Sequence, residues 1–253
     1  RQATEAVLSR VGDRTRLVVL DHVTSQSALA LPVEGLVGEI ETAGIPTLID
    51  GAHAPGMLPL DLDSLGASFY VGNCHKWLCA PHGAAFLRVA PAHRDEVEPL
   101  VISHGWNDVR QGRSRFRKLF DWVGTDDPSA MLSVPTAIDT IASTRPDGWP
   151  GVMSRNRALA FEARRLVLDR LGGEAPAPDT MLGSMAVVEL QPATVATPGF
   201  IDPLTEAIRE SHRIEVPVFS FPHSPRRVVR LSAHLYNTID DYEALADALA
   251  FHL

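Results

Sequence analysis

Arg16-Leu17-Val18-Val19-Leu20, closed by the polar turn Asp21-His22-Val23-Thr24-Ser25, is a short apolar run of the kind that forms a buried strand. A helical pattern follows from Pro32. Val33, Leu36, Val37 and Ile40 fall at i, i+3, i+4 and i+7, Pro32 suits the first turn, and Gly44 suits the left-handed stop. A second apolar run, Thr47-Leu48-Ile49-Asp50, comes at once. Residues 16–50 therefore read as a strand–helix–strand crossover, a unit that is parallel and right-handed in nearly all proteins. Ligands of open α/β sheets sit outside the carboxyl ends of the strands, so Asp50 and the turn at 21–25 are expected to face one crevice.

Working outward, Ser68 to Val71 and Ala84 to Val89 are two further strand candidates, joined through Gly72-Asn73-Cys74-His75-Lys76-Trp77. After Gly124-Thr125 the pattern changes to a helix near Pro128 to Ala142, a break at Arg145-Pro146-Asp147-Gly148, and a long helix from Ser154 to Leu171 stopped by Gly172-Gly173. Beyond the Pro- and Ala-rich linker Glu174–Asp179 come a strand at 185–190, a helix at 203–211, strands at 216–219 and 228–231, and a final helix at 239–251. Thr238 three residues before Asp241 is an N-terminal capping signal for that last helix. The predicted fold class is α/β: part of a doubly wound, mainly parallel sheet over residues 1–145, and a smaller α+β domain over 146–253.

The bulk properties narrow the function classes. A chain of 253 residues with 45 % apolar content can fill a large domain and part of another around a real core. With a net charge of −8 and scattered lysines, nothing recommends a phosphate backbone as partner, and no nucleic acid is expected. The basic cluster Arg110 to Lys118 reads as a solvated or inter-subunit surface. No apolar run approaches the roughly 18 residues a membrane span needs, and residues 1–20 read as helix then strand rather than as a signal peptide. The expectation is a cytoplasmic protein with no membrane association. Cys74 and Cys79 suit reduced thiols better than a structural disulfide.

The chemistry centres on Lys76, in a turn rich in Gly, Asn and His, downstream of the strand-ending carboxylate of Asp50. An amine able to form a Schiff base and an anion able to hold a ring nitrogen protonated meet the needs of pyridoxal phosphate. At an effective dielectric of about 20, an ion pair at about 4 Å gains roughly 4 kcal/mol, enough to keep such a ring charged at neutral pH. Cys74, His75, Cys79 and His82 also crowd together, but adjacent Cys74 and His75 cannot readily both face one tetrahedral ion, so no metal is expected.

Taken in order, Asp21-His22-Val23-Thr24-Ser25, Asp50-Gly51-Ala52-His53, Gly72-Asn73-Cys74-His75-Lys76-Trp77-Leu78, Phe120-Asp121-Trp122-Val123-Gly124-Thr125-Asp126 and Arg230-Leu231-Ser232-Ala233-His234-Leu235-Tyr236-Asn237-Thr238 resemble the class V aminotransferase family, pyridoxal-phosphate enzymes of fold type I. The resemblance is closest to the isopenicillin N epimerase-like branch. It implies pyridoxal 5′-phosphate as cofactor and chemistry at the α-carbon of an amino-acid substrate through an external aldimine. It makes Lys76 the Schiff-base lysine and proton carrier, and Asp50 the partner of the ring nitrogen. His53, with Ser25, approaches the phenolic oxygen. His75 and Asn73 meet the phosphate, although Asn73 stands where relatives often carry serine. Thr125 reaches the phosphate of a partner subunit, which implies a homodimer, and Arg230 grips the substrate carboxylate.

Epimerase-like chemistry leads, with a C–S lyase of the hercynylcysteine sulfoxide lyase type or an aminotransferase as alternatives. No cysteine follows Cys79, which argues against a desulfurase relying on a thiol from the small domain. The family's chains are longer, so the sequence reads as beginning partway through the large domain. An inactive fragment is the non-enzymatic alternative. The substrate side chain and an epimerase's second acid/base are not assigned by these residues.

Overall fold

A computed structural model describes residues 2–194, 199 and 201–253. The chain forms two compact units, the first from residues 2–22, 32–55 and 60–138, the second from 23–31, 56–59 and 139–253.

In the first unit, helix α1 (Gln2–Leu8) precedes strand β1 (Val18–Asp21), helix α2 (Val33–Thr42) and strand β2 (Thr47–Gly51). The crossover read from the sequence is present, with β1 and β2 parallel and Asp21 opposite Asp50. Val33, Leu36, Val37 and Ile40 form the buried stripe of α2. The helix stops where Gly44 takes φ +76°, as Gly44 N–H donates to Glu41 O (2.9 Å) and Ile45 N–H to Ile40 O (3.2 Å), the paired bonds of a Schellman cap. Helix α3 (Leu62–Leu65) leads to β3 (Phe69–Asn73), parallel to β2, and β4 (Ala85–Val89) returns antiparallel to β3. The sheet order is thus β1-β2-β3-β4, three parallel strands with an antiparallel neighbour.

Short helices α4 (Arg115–Phe120) and α5 (Ser129–Leu132) follow, and α6 (Val134–Ser143) carries the chain into the second unit. The helix expected over 128–142 is broken at Ser133, because Pro135 has no N–H to continue the ladder and fits only in a first turn.

The second unit is built on the long helix α7 (Gly148–Leu171), strand β5 (Met185–Leu190), helix α8 (Leu204–His212), strands β6 (Val218–Ser220) and β7 (Arg227–Ser232), and helix α9 (Ile239–His252). Its sheet is antiparallel in the order β5-β7-β6. Helices α7, α8 and α9 close a core with β5 and β7 in which Ala160, Ala163, Val188, Ile208, Val229 and Leu249 are all solvent-inaccessible. Thr238 and Asp241 form the capping box at the start of α9. Two short segments from earlier in the chain complete this unit. Leu29 packs on Ala177, Leu182 and Ala186, Ala30 N–H donates to Met181 O (2.7 Å), and Met57 lies so close to Gly183 that a Cβ there would stand 2.6 Å from its Sδ. No helix among the described residues is long and apolar enough to cross a membrane.

Candidate active site

The candidate residues of the first unit gather at the carboxyl ends of β2 and β3. Gly51 and Gly72 face each other across these strands, and both are needed there. A Cβ at Gly51 would lie 2.2 Å from the Tyr70 ring, and one at Gly72 would lie 2.5 Å from the Phe86 ring. The missing side chains leave room for Tyr70 and Phe86 to stack with centroids 6.2 Å apart beneath the strand ends.

Asp50 projects from the opposite face of β2. Its Oδ1 accepts the Ala52 N–H at 2.9 Å, a local Asx-type bond that fixes the carboxylate as the chain leaves the strand. Its backbone carbonyl accepts from His22 N–H at 2.8 Å, extending the β1–β2 ladder. Partial desolvation and the adjacent Asp50 charge lift the Asp21 carboxyl above its ordinary range.

Lys76 lies in a turn that is closed on itself. Cys74 and His75 N–H both donate to Ala84 O (2.9 and 3.2 Å), Cys79 N–H donates to Lys76 O (3.1 Å), and Ala80 N–H donates to Cys74 O (3.0 Å). The half-buried amine therefore projects from a fixed backbone. Its Nζ stands 3.3 Å from Nε2 of the buried His53. His75 bonds through Nδ1 to Ala84 O at 3.0 Å, so that nitrogen carries a proton. Asn73 ends β3 and is half-buried. Thr125 is exposed beside Gly124, whose φ is +113°, and makes no hydrogen bond to the other candidates among the described residues.

A buried pair that sequence reasoning did not single out lies in the same unit. His22 Nδ1 is 2.9 Å from Tyr70 OH. Burial lowers the His22 pKa, so the ring is neutral, and burial together with the Asp50 charge raises the Tyr70 phenol well above its ordinary value. The pair is a neutral, hydrogen-bonded floor. The sequence signal for it was His22 in the strand-end turn, but its partner depends on a strand register and a glycine that periodicity does not reveal.

In the second unit the structure brings Ser25 and Arg230 together. Arg230 NH1 donates to the Ser25 carbonyl (2.9 Å) and to its Oγ (3.2 Å), and the guanidinium lies 5.5 Å from the Phe219 ring centroid. Arg230 Nε is buried with no hydrogen-bond partner among the described residues, and burial pulls the guanidinium down from its usual range. A desolvated N–H on a cation is costly unless an anion meets it, so the donor set suits a carboxylate. Nearby, Asn237 Oδ1 accepts His234 N–H at 3.0 Å, its carbonyl takes Arg155 NH2 at 2.6 Å, and Tyr236 stacks on His234.

Chemically, a fixed amine beside an imidazole, with a carboxylate on the neighbouring strand end, can condense with an aldehyde and move a proton. Burial raises the Cys74 thiol, and partial desolvation raises that of the surface-exposed Cys79, which disfavours their thiolates as nucleophiles. Among the described residues no cluster of His, Cys, Asp and Glu is arranged to hold a metal ion.

Comparison with known proteins adds to this geometry. Residues 1–245 match the family model for aminotransferase class-V. The isopenicillin N epimerase of Streptomyces clavuligerus is 38 % identical over 98 % of this chain and 63 % of its own length. A putative L-cysteine desulfhydrase of Oryza sativa subsp. japonica is 31 % identical over 94 % of this chain and 52 % of its own. The cystine C–S lyase C-DES, solved with its product cysteine persulfide, superimposes with a TM-score of 0.77 at 21 % identity, covering 98 % of this chain and 64 % of that one. Another C-DES structure holds glycine covalently linked to its pyridoxal-phosphate cofactor. The chain spans about 63 % of the length of the epimerases it matches.

Proposed function

The chain belongs to the class V aminotransferase family, with the pyridoxal-phosphate fold type I, and from that premise we propose that it binds pyridoxal 5′-phosphate and acts at the α-carbon of an amino acid or amino-acid-derived substrate, in an isopenicillin N epimerase-like reaction. The carrying observation is the Lys76 amine, held in its closed turn 3.3 Å from His53 Nε2, with Asp50 fixed at the end of the neighbouring strand β2. The donor set fits the cofactor: an amine for its aldehyde (Lys76), an anion for its ring nitrogen (Asp50), an imidazole for its phenolic oxygen (His53), and His75 and Asn73 for its phosphate, while Thr125 reaches the phosphate of a partner subunit. When bound, the cofactor supplies an electron-withdrawing ring that stabilises negative charge at the substrate α-carbon. Lys76 Nζ takes the α-proton and returns it, Asp50 keeps the ring nitrogen protonated, and His53 keeps the amine oriented. Arg230 holds the substrate carboxylate through the Nε edge that has no partner among the described residues, and Ser25 fixes the guanidinium through its carbonyl and Oγ.

Titration with pyridoxal phosphate tests the assignment. The protein should develop a visible absorption band that Lys76→Ala lacks, and a band of equal intensity in the variant would sink it. α-Hydrogen exchange from amino acids in D2O then reports Lys76 acting as base.

A second reading, C–S bond cleavage, is favoured by the desulfhydrase relatives, and sulfide release from L-cysteine without net epimerisation would select it. Keto-acid formation with amino-group transfer would select transamination. Failure to bind the cofactor at all would identify an inactive piece. We further place the protein as a homodimer in the cytoplasm. Val101, Ile102, Val109, Val123 and Leu132 are exposed apolar side chains along one segment that includes Thr125, and Cys74 and Cys79, neither of them in a disulfide, suit a reducing compartment. Sedimentation equilibrium giving a monomer at micromolar concentration would remove the dimer.

A further inference from the structure

The Arg110 to Lys118 cluster lies on the wall of a cavity. Residues 104–122 of the first unit line a cleft of about 590 Å3, within the size range of small-molecule sites, with His104, Arg110, Arg113, Arg117, Lys118 and Trp122 on its walls. Its shape is built by close packing. A Cβ on Gly105 would stand 1.8 Å from Lys118 O, so only glycine lets the turn at 104–107 lie against α4, and Arg115 covers the Trp106 ring at 4.7 Å.

The charges on these walls do not balance. Arg110 closes bidentately on Asp108 (2.9 and 2.8 Å), which holds that carboxyl far below its ordinary range. Arg117 and Arg113 share the remaining carboxylate, Asp121, at 2.9 and 3.9 Å. Lys118 Nζ finds backbone carbonyls, donating to Asp108 O (3.0 Å) and to Arg110 O. Arg110, Arg113, Arg117 and Lys118 thus face Asp108 and Asp121 alone, an excess of two positive charges on a chain whose net charge is −8. Two guanidinium forks converging on one carboxylate keep N–H donors in reserve, in the planar arrangement that carboxylate and phosphate oxygens fit. The half-exposed Trp122 indole adds an apolar wall.

We propose that this cleft is a binding site for a small polyanion bearing at least two carboxylate or phosphate groups. Its lining includes none of the residues assigned above to the cofactor or the substrate. Isothermal titration in 0.15 M KCl with citrate in one arm and inorganic phosphate in the other distinguishes the two chemistries. At least one should bind saturably, one per chain, and Arg113→Ala with Arg117→Ala should weaken it about tenfold or more, as loss of charged hydrogen bonds does. Arg113→Glu alone serves if the double variant fails to fold, because Arg113 is exposed and its only ion pair among the described residues is the long contact to Asp121. It should weaken binding by at least as much. Saturating pyridoxal phosphate should leave the affinity unchanged. Absence of saturable binding in both arms, equal affinity in the folded variants, or one-for-one displacement by pyridoxal phosphate would overturn the proposal.

Discussion

Arg230 is the side chain whose surroundings speak most directly to binding. A guanidinium with one edge tied to Ser25 and a buried, unmet Nε is stabilised by an arriving carboxylate, so Arg230→Ala should raise KM for amino-acid substrates by a factor corresponding to about 1.5–3 kcal/mol. Arg230→Lys should recover only part of the loss, since a point charge cannot replace the fork. Unchanged KM values for both variants would remove Arg230 from substrate binding. Glu41 shows how an acidic group can matter without touching the candidate site. Burial alone would raise its carboxyl, but hydrogen bonds from Thr47 and Ser68, both through N–H and Oγ, hold it below the usual range. A carboxylate with a depressed folded pKa stabilises the fold above its unfolded value near 4.5, and that contribution is lost as pH falls through the folded value. Glu41→Gln should therefore shrink the stability difference between pH 7 and pH 3 in urea melts, and an unchanged difference would contradict the assignment. Lys76, Asp50 and Arg230 stand out in the sequence as candidates because each ends or follows an apolar run in a recognisable order. The His22–Tyr70 bond and the Arg230–Ser25 contact were not, because they join residues far apart in sequence.

Strands and helices were read well where one periodicity prevailed. The buried stripe of α2 and its stop at Gly44 follow from spacing and from the single residue that enters the left-handed region without strain. Where breakers mixed with helix formers, boundaries moved. The long helix was expected from Ser154 but begins at Gly148, because Pro150 and Gly151 are tolerated in a first turn whose N–H groups have no intrahelical partners. Helix α4 is not evident from the sequence because its six residues are too few for a helical periodicity to declare itself. The strand-end glycines give the sharpest test of local structure. Gly51→Ala must displace the Tyr70 ring, and should cost about 1–3 kcal/mol in thermal or urea unfolding. A variant as stable as the parent would show that Tyr70 does not fill that slot.

Taken together, the chain's α/β character, its mainly parallel first sheet and its α+β second part were foreseeable from the order of apolar runs, whereas the assignment of residues 23–31 and 56–59 was not. Those segments are short, lack periodicity, and declare their allegiance only through Ala28, Leu29 and Met57, which are buried or packed in the second unit. The chain therefore passes from one unit to the other several times before α6 makes the last crossing. Such interleaving defeats dissection by gene truncation. A polypeptide of residues 139–253 would lack the strip that covers Ala177, Leu182 and Ala186, and should be a dye-binding, non-cooperative species, whereas a sharp melt would prove it autonomous. Threading of this kind also means that a gene crossover would have to carry residues 23–31 and 56–59 together with 139–253 to keep every segment of the second unit from one parent.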